Sequence, residues 1–110
     1  MMTPALRVRF DAGHGGHDSG AVGPTGLREC DVALQIAGLC ASMALADGWS
    51  IGFTRSRDLF VGLQRRADIS NDGRDDLFVS IHCNGFQRPI PVGYEVWTTE
   101  GQTESDAVAE

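Results

Sequence analysis

The sequence contains no lysine. A Walker-type phosphate loop, which needs a lysine to reach the nucleotide phosphates, is therefore excluded. Gly13 and Gly15 do not extend into a GxGxxG dinucleotide fingerprint either, because Asp18 stands where the last glycine belongs. The 9 basic residues are all arginine, dispersed along the chain, and 15 acidic residues outweigh them to a net charge of -6. Unaided nucleic-acid binding is thus not expected. Cysteine is scarce and odd in number: Cys30, Cys40 and Cys83 form no CxxC pair. They read as small buried apolar residues and not as a disulfide framework. Long apolar runs are missing as well. The longest, within Val32 to Ala46, is interrupted by Gln35, Gly38 and Ser42, so no membrane insertion is expected. The N-terminal residues up to Phe10 lack the zones of a secretory signal, and synthesis in the cytoplasm is expected unless a leader has been removed.

What is present is an ordinary globular composition, 42% hydrophobic and 22% charged over 110 residues, enough for one domain. Leu6 to Phe10 alternates apolar residues with Arg7 and Arg9 and meets Asp11-Ala12-Gly13, which reads as a strand running into a glycine-rich loop. Val32, Ile36, Leu39, Cys40 and Met43 share one helical face, and Gly48 suits a left-handed cap, so a helix is expected from Glu29 or Cys30 to Asp47. Ser50 to Thr54 reads as a second strand, and Asp58 as the cap of a second helix through Leu63, Ala67 and Ile69 that closes near Gly73. Leu77 to Ile81 has the near-continuous apolar character of a strand covered on both faces. Tyr94 to Thr98 reads as a fourth strand, and a further helix is expected from Ser105. Alternating strands and helices imply an α/β domain: a mostly parallel sheet flanked by helices.

Sites in such sheets gather beyond the carboxyl ends of the strands. His14 follows the first strand, His82 ends the third, and Glu29 opens the first helix, so all three are expected at one edge. Two imidazoles, one carboxylate and an open position make a usual ligand set for catalytic zinc. The spacing alone leaves a plainer reading open, a surface loop histidine and a strand-end histidine satisfied by hydrogen bonds.

The text around these residues is more specific. Asp11-Ala12-Gly13-His14-Gly15-Gly16-His17-Asp18-Ser19-Gly20-Ala21 closely resembles the DPGHGGxDxGA signature of zinc amidases that hydrolyse peptidoglycan. Gly26 to Val32 resembles their GxxE[KR]DxxL segment, and Thr54-Arg55-Ser56-Arg57-Asp58 with Leu63 and Arg66-Ala67 resembles TRxxDxxxxLxxRxxxAN. Phe78 to Asn84 is similar to FxSIHxN, and Gly93 to Val96 to the Gly-x-Glu strand that follows. In order, these motifs mark the chain as similar to the N-acetylmuramoyl-L-alanine amidases of type 3 from Val8 to about Trp97. Ala12 replaces a common proline, and Ser70 an alanine.

The resemblance implies a phosphorylase/hydrolase-like fold, and a zinc ion bound by His14, Glu29 and His82. It further implies hydrolysis of the amide joining N-acetylmuramic acid to L-alanine, with peptidoglycan as partner and the cell wall as place of action, reached by phage-lysin-like release or with a leader. A bound zinc lowers the pKa of its water from ~16 to ~7 and polarises the scissile carbonyl. The family also carries a second essential glutamate near the end of its domain, which no segment here matches, so the family's general base is expected beyond Glu110. Residues 1–110 are therefore expected to form an incomplete catalytic domain, monomeric and of little activity alone, and a zinc-containing module that only binds peptidoglycan is the alternative. Glu95 is the candidate for a substitute general base, although a structural or solvent-facing role is the commoner one. Asn84 is weighed between orienting the site and shaping a turn, His17 and Asp18 between a supporting role and plain loop chemistry, and Arg55 and Arg66 are expected to be scaffolding.

Overall fold

The structure, a computed structural model, describes residues 5–83 and 94–98. Strand β1 (Arg7–Ala12) is followed by helix α1 (Glu29–Ala46), strand β2 (Ser50–Phe53), helix α2 (Leu63–Asp72) and strand β3 (Leu77–Ile81). The sheet has the order β2-β1-β3, and both pairings are parallel. This is the expected α/β architecture, with the first strand at the centre because each later strand adds to one of its edges.

The two faces of the sheet differ in kind. Since successive side chains alternate, Val8, Phe10 and Ala12 of β1 point to one side and meet Ala33, Ala37 and Ala41 of α1, with Ile51, Phe53, Leu77, Val79 and Ile81 packed around them. The other side carries Arg9 and Asp11, both buried. Arg9 is paired with Asp75 at 2.7 Å, and Asp11 with Arg66 of α2 at 2.8 Å. Thr54 and Ser80 hydroxyls donate to Asp11 at 2.6 Å each. The buried charges are thus paired and hydrogen-bonded, as burial demands.

Several expectations are corrected here. Helix α1 does not bury its large apolar residues: Leu39 and Met43 are 67% and 70% exposed, Ile36 is exposed and Val32 half-buried, and only Cys40 of that set packs against the core. Its small-residue face, Cys30, Ala33, Ala37 and Ala41, lies on the sheet instead. Small side chains let the helix axis approach the strands, and in a helix apolar almost all round the largest residues do not mark the inner face. By length and composition alone this helix, with a mean hydropathy of 1.4, is long and apolar enough to cross a membrane, despite its interruptions. Its alanine face is, however, the sheet's cover, as in a core helix. Asp58 does not cap α2, whose N-cap is Gly62 without a side-chain hydrogen bond. Its carboxylate instead accepts the Gly16 N–H at 2.7 Å. Among the described residues strand β3 is covered on one face only, leaving Phe78 41% exposed. Residues 94–98 form no strand; Tyr94, Val96 and Trp97 are exposed and bury no alternating face. The Asn84 position, the helix expected from Ser105, and Glu110, past which the family's base is expected, lie outside the described residues. The cap of α1 matches its sequence: Gly48 adopts φ 88° and its N–H reaches the Leu45 carbonyl at 3.0 Å.

Candidate metal centre

His14, Glu29 and His82 converge at the carboxyl edge of the sheet, as their places in the sequence suggested. His14 Nε2 lies 3.1 Å from Glu29 Oε2, His82 Nδ1 lies 3.3 Å from the same oxygen, and the two nitrogens are 3.3 Å apart. The rings meet edge to face at 86°. Two imidazole nitrogens and one carboxylate oxygen in a near-equilateral triangle are a donor set that suits a cation. Ligands about 2.05 Å from a tetrahedral zinc stand roughly 3.3 Å apart, so the observed edges fit that ion.

Glu29 and His14 are fixed by the chain around them. Glu29, in the first turn of α1, is buried and accepts the Ala21 N–H on Oε1 at 3.0 Å and the Cys83 N–H on Oε2 at 2.9 Å. Burial pushes its carboxyl up, but those two N–H donors and the two imidazoles outweigh it and hold the group below the usual glutamate range. His14 sits in the left-handed region at φ 60°, a conformation that non-glycine residues keep only when the surroundings impose it. Two arginines impose it. Arg66 donates to the carbonyls of Ala12 at 2.6 Å and His14 at 2.8 Å, and Arg55, buried, donates to those of Ala12, Gly13 and Cys30 at 2.9 Å each. Burial and the neighbouring Arg66 push the Arg55 pKa down. Both arginines are scaffolding, as expected, but their partners are chiefly loop carbonyls.

Two glycines make room for the donors. A Cβ on Gly20, whose φ is 66°, would fall 2.6 Å from His14 Cδ2 and 2.7 Å from Glu29 Oε1. One on Gly13 would fall 2.6 Å from His82 Nδ1. If these donors hold a metal, Gly20→Ala is expected to weaken zinc binding at least tenfold, by displacing two donor side chains at once, whereas Gly38→Ala, where a Cβ meets nothing within 4 Å, leaves the affinity unchanged. Competition with a chromophoric chelator measures both.

The remaining candidates fall elsewhere. Asp18 reaches His14 Nδ1 at 2.8 Å, and His17, exposed, lies against the Phe60 ring at 4.3 Å between centroids. Glu95 is exposed and does not belong to the donor cluster. Cys30, Asp31 and Asp58 form a second gathering of donor atoms. Arg28 already pairs with both carboxylates, at 3.9 and 3.4 Å, and burial pushes the Cys30 thiol up, so that group is poorly suited to a metal. Asp11 was the residue missed: it carried no role in the sequence reading, yet it anchors Arg66. Its signal was a carboxylate at the inner end of an apolar strand, which needs a buried cation. A cleft of about 660 Å³ opens beside the cluster, with Phe60, Val61, Leu63 and Phe78 as its large apolar residues and Asp11, His14, Asp18, Arg66 and His82 among the polar ones.

The chain is similar to known proteins over most of its length. The family described as N-acetylmuramoyl-L-alanine amidase matches residues 8–110. The chain is 43% identical over 103 residues to the N-acetylmuramoyl-L-alanine amidase AmiC of Escherichia coli O6:H1, covering 91% of this chain and 25% of that protein. It is 39% identical over 92 residues to the endolysin of Bacillus phage SPP1, covering 82% and 32%. Among solved structures, the N-acetylmuramoyl-L-alanine amidase of Clostridium difficile 630 superposes with a TM-score of 0.84 at 33% identity, over 97% of this chain and 60% of that one. AmiC2 of Nostoc punctiforme superposes with 0.72 at 45% identity, over 76% and 47%. The chain thus spans between 25% and 35% of the first curated relatives it matches.

Proposed function

Because the chain belongs to the N-acetylmuramoyl-L-alanine amidase family, we propose that it carries the metal-binding part of a peptidoglycan amidase, with His14, Glu29 and His82 holding zinc. The protein would cut the amide between N-acetylmuramic acid and L-alanine and act on the cell wall. The observation that carries this reading is the donor triangle of 3.1 to 3.3 Å edges built from three separate segments. Zinc held there supplies a Lewis acid that acidifies water and polarises a carbonyl. Glu29 contributes a carboxylate kept ionised by its two N–H donors, so the site gains a negative charge that a cation offsets. Arg55 and Arg66 keep the His14 loop from relaxing, which preserves the spacing of the donors in the absence of substrate. The adjoining cleft offers apolar contact for substrate beside the donors, and orientation of the amide there is what the protein itself adds. Glu95 is retained as the candidate for proton transfer, a role worth ~10²–10⁴-fold, with a glutamate beyond Glu110 as the alternative that the family pattern implies.

The test uses metal and substrate separately. Zinc titration of the chain should saturate at one ion per chain, and chelation should lower its melting temperature, because ligand binding to the native state alone adds stability. A form extended past Glu110 to the length of its solved relatives, given purified peptidoglycan, should release peptides with free L-alanine amino ends. Glu95→Gln in that form should reduce the rate if the proton-transfer role is right, and an unchanged rate assigns that role to a glutamate of the added segment. Failure to take up zinc overturns the metal centre. Uptake without release of such ends overturns the substrate.

A further inference from the structure

The geometry points to Asp18 as the positioning residue of the centre, holding the proton of His14 on Nδ1 so that Nε2 presents its lone pair to the donor triangle. This inference rests on the zinc site proposed above. A neutral imidazole carries its proton on either nitrogen, and only the bare nitrogen can ligate. In His14 the triangle uses Nε2, while Nδ1 faces Asp18 Oδ2 at 2.8 Å. The carboxylate accepts that N–H and has no reason to tolerate the other tautomer, which would set two acceptors against each other.

Asp18 is itself fixed by more than the histidine. Its Oδ1 accepts the Gly20 N–H at 3.1 Å. Its backbone exchanges hydrogen bonds with Gly15, the Gly15 N–H reaching the Asp18 carbonyl at 2.7 Å and the Asp18 N–H the Gly15 carbonyl at 3.0 Å. The loop therefore folds back on itself across His14 and delivers the carboxylate to the ring's far side. The pair is four positions apart, but the intervening backbone is a left-handed glycine turn and not a helix. Asp18 is no ligand in this arrangement, because Nδ1 and Nε2 lie on opposite sides of the ring. The carboxylate side chain is 42% exposed and its two partners, His14 Nδ1 and the Gly20 N–H, are only part-buried, so its loss should fall on the metal more than on the fold.

The test compares zinc affinity, metal-free melting and the ring proton. Asp18→Ala should bind zinc ~10–100-fold more weakly, the usual cost of losing an outer partner of a ligand histidine. Asp18→Asn keeps one oxygen that can accept from Nδ1, at the expense of the Gly20 N–H contact, and should recover part of that loss. In the zinc-loaded unaltered chain, nitrogen-resolved spectra should show an exchange-protected proton on His14 Nδ1, absent from Asp18→Ala. A role confined to pinning the loop predicts lower metal-free melting with an unchanged zinc dissociation constant, and that result overturns the inference. So does a His14 Nδ1 without a proton in the loaded unaltered chain, a measurement that holds even if Asp18→Ala does not fold. No zinc uptake by the unaltered chain overturns the centre and this inference together, whereas normal uptake by Asp18→Ala overturns this inference alone.

Discussion

Replacing His82 by alanine is expected to abolish stoichiometric zinc binding while leaving the metal-free melting temperature nearly unchanged. The side chain is 48% exposed, and substitutions at such positions usually fall within about 0.5 kcal/mol. Its Nδ1 is nevertheless one of three donors, and losing a ligand should exceed the ~10–100-fold that an outer partner costs. Glu29→Gln should lose zinc as well, but less cleanly. Both carboxylate oxygens accept backbone N–H groups, those of Ala21 and Cys83, and an amide offers a single oxygen. One N–H would then face another N–H, at a cost of roughly 1–3 kcal/mol. Metal analysis after dialysis reads the first effect, and calorimetry the second. Full zinc content in both His82→Ala and His14→Ala would show the centre to be elsewhere.

Arg66→Met is expected to be the most destabilising single change outside the donors. It leaves Asp11, buried in the central strand, without its cation, and breaking a buried pair from one side costs about 3–5 kcal/mol. The same guanidinium also holds the carbonyls of Val61, Ala12 and His14. Against a total stability of roughly 5–15 kcal/mol, the melting temperature should drop by more than about 10 °C. Arg65→Met, exposed on the same helix, should barely move it. The pair also sets an acid limit. Burial raises the Asp11 pKa, but hydrogen bonds from Ser80, Thr54 and Arg66 outweigh it and hold the carboxyl below its ordinary 3.8. A carboxyl depressed in the folded state stabilises fully above that value, and the contribution fades as pH falls toward the folded pKa. Melting should therefore weaken below about pH 4, and less steeply in Asp11→Asn. Equal acid slopes in the two proteins would remove Asp11 from that role.

How far the sequence could be read depended on whether a residue's role was local. The gathering of His14, Glu29 and His82 was legible because each sits in a motif of its own, and the strand-helix alternation that brings them to one edge follows from apolar periodicity. The inner face of α1 was not. With apolar residues nearly all round, its orientation is set by which side lies closest to β1, and only Ala33, Ala37 and Ala41 permit that approach. The Asp58 cap failed for a related reason: a carboxylate ahead of a helix has a plausible local use, yet the Gly16 N–H, 42 residues away, holds it. The partnership of Asp11 with Arg66 spans 55 residues, and no periodicity reports a pairing of that kind. Tyr94 to Thr98 has the alternation of a strand, but alternation describes a pattern and not a neighbour to pair with.

The central place of β1 also governs the order of folding. It is the first strand made, yet its neighbours are β2 and β3, whose residues begin at Ser50 and Leu77. Its native pairings therefore close loops of some 40 to 70 residues. Closing the longer loop costs little more in equilibrium terms, about 0.6 kcal/mol for each doubling of length, but long-range parallel pairing is slow. His82 follows directly on β3, so the third donor arrives only when that strand has docked. With the zinc centre proposed above, affinity for the ion would report the docking of β3: a chain stalled with β1 and β2 alone holds two of the proposed donors and should let the ion go.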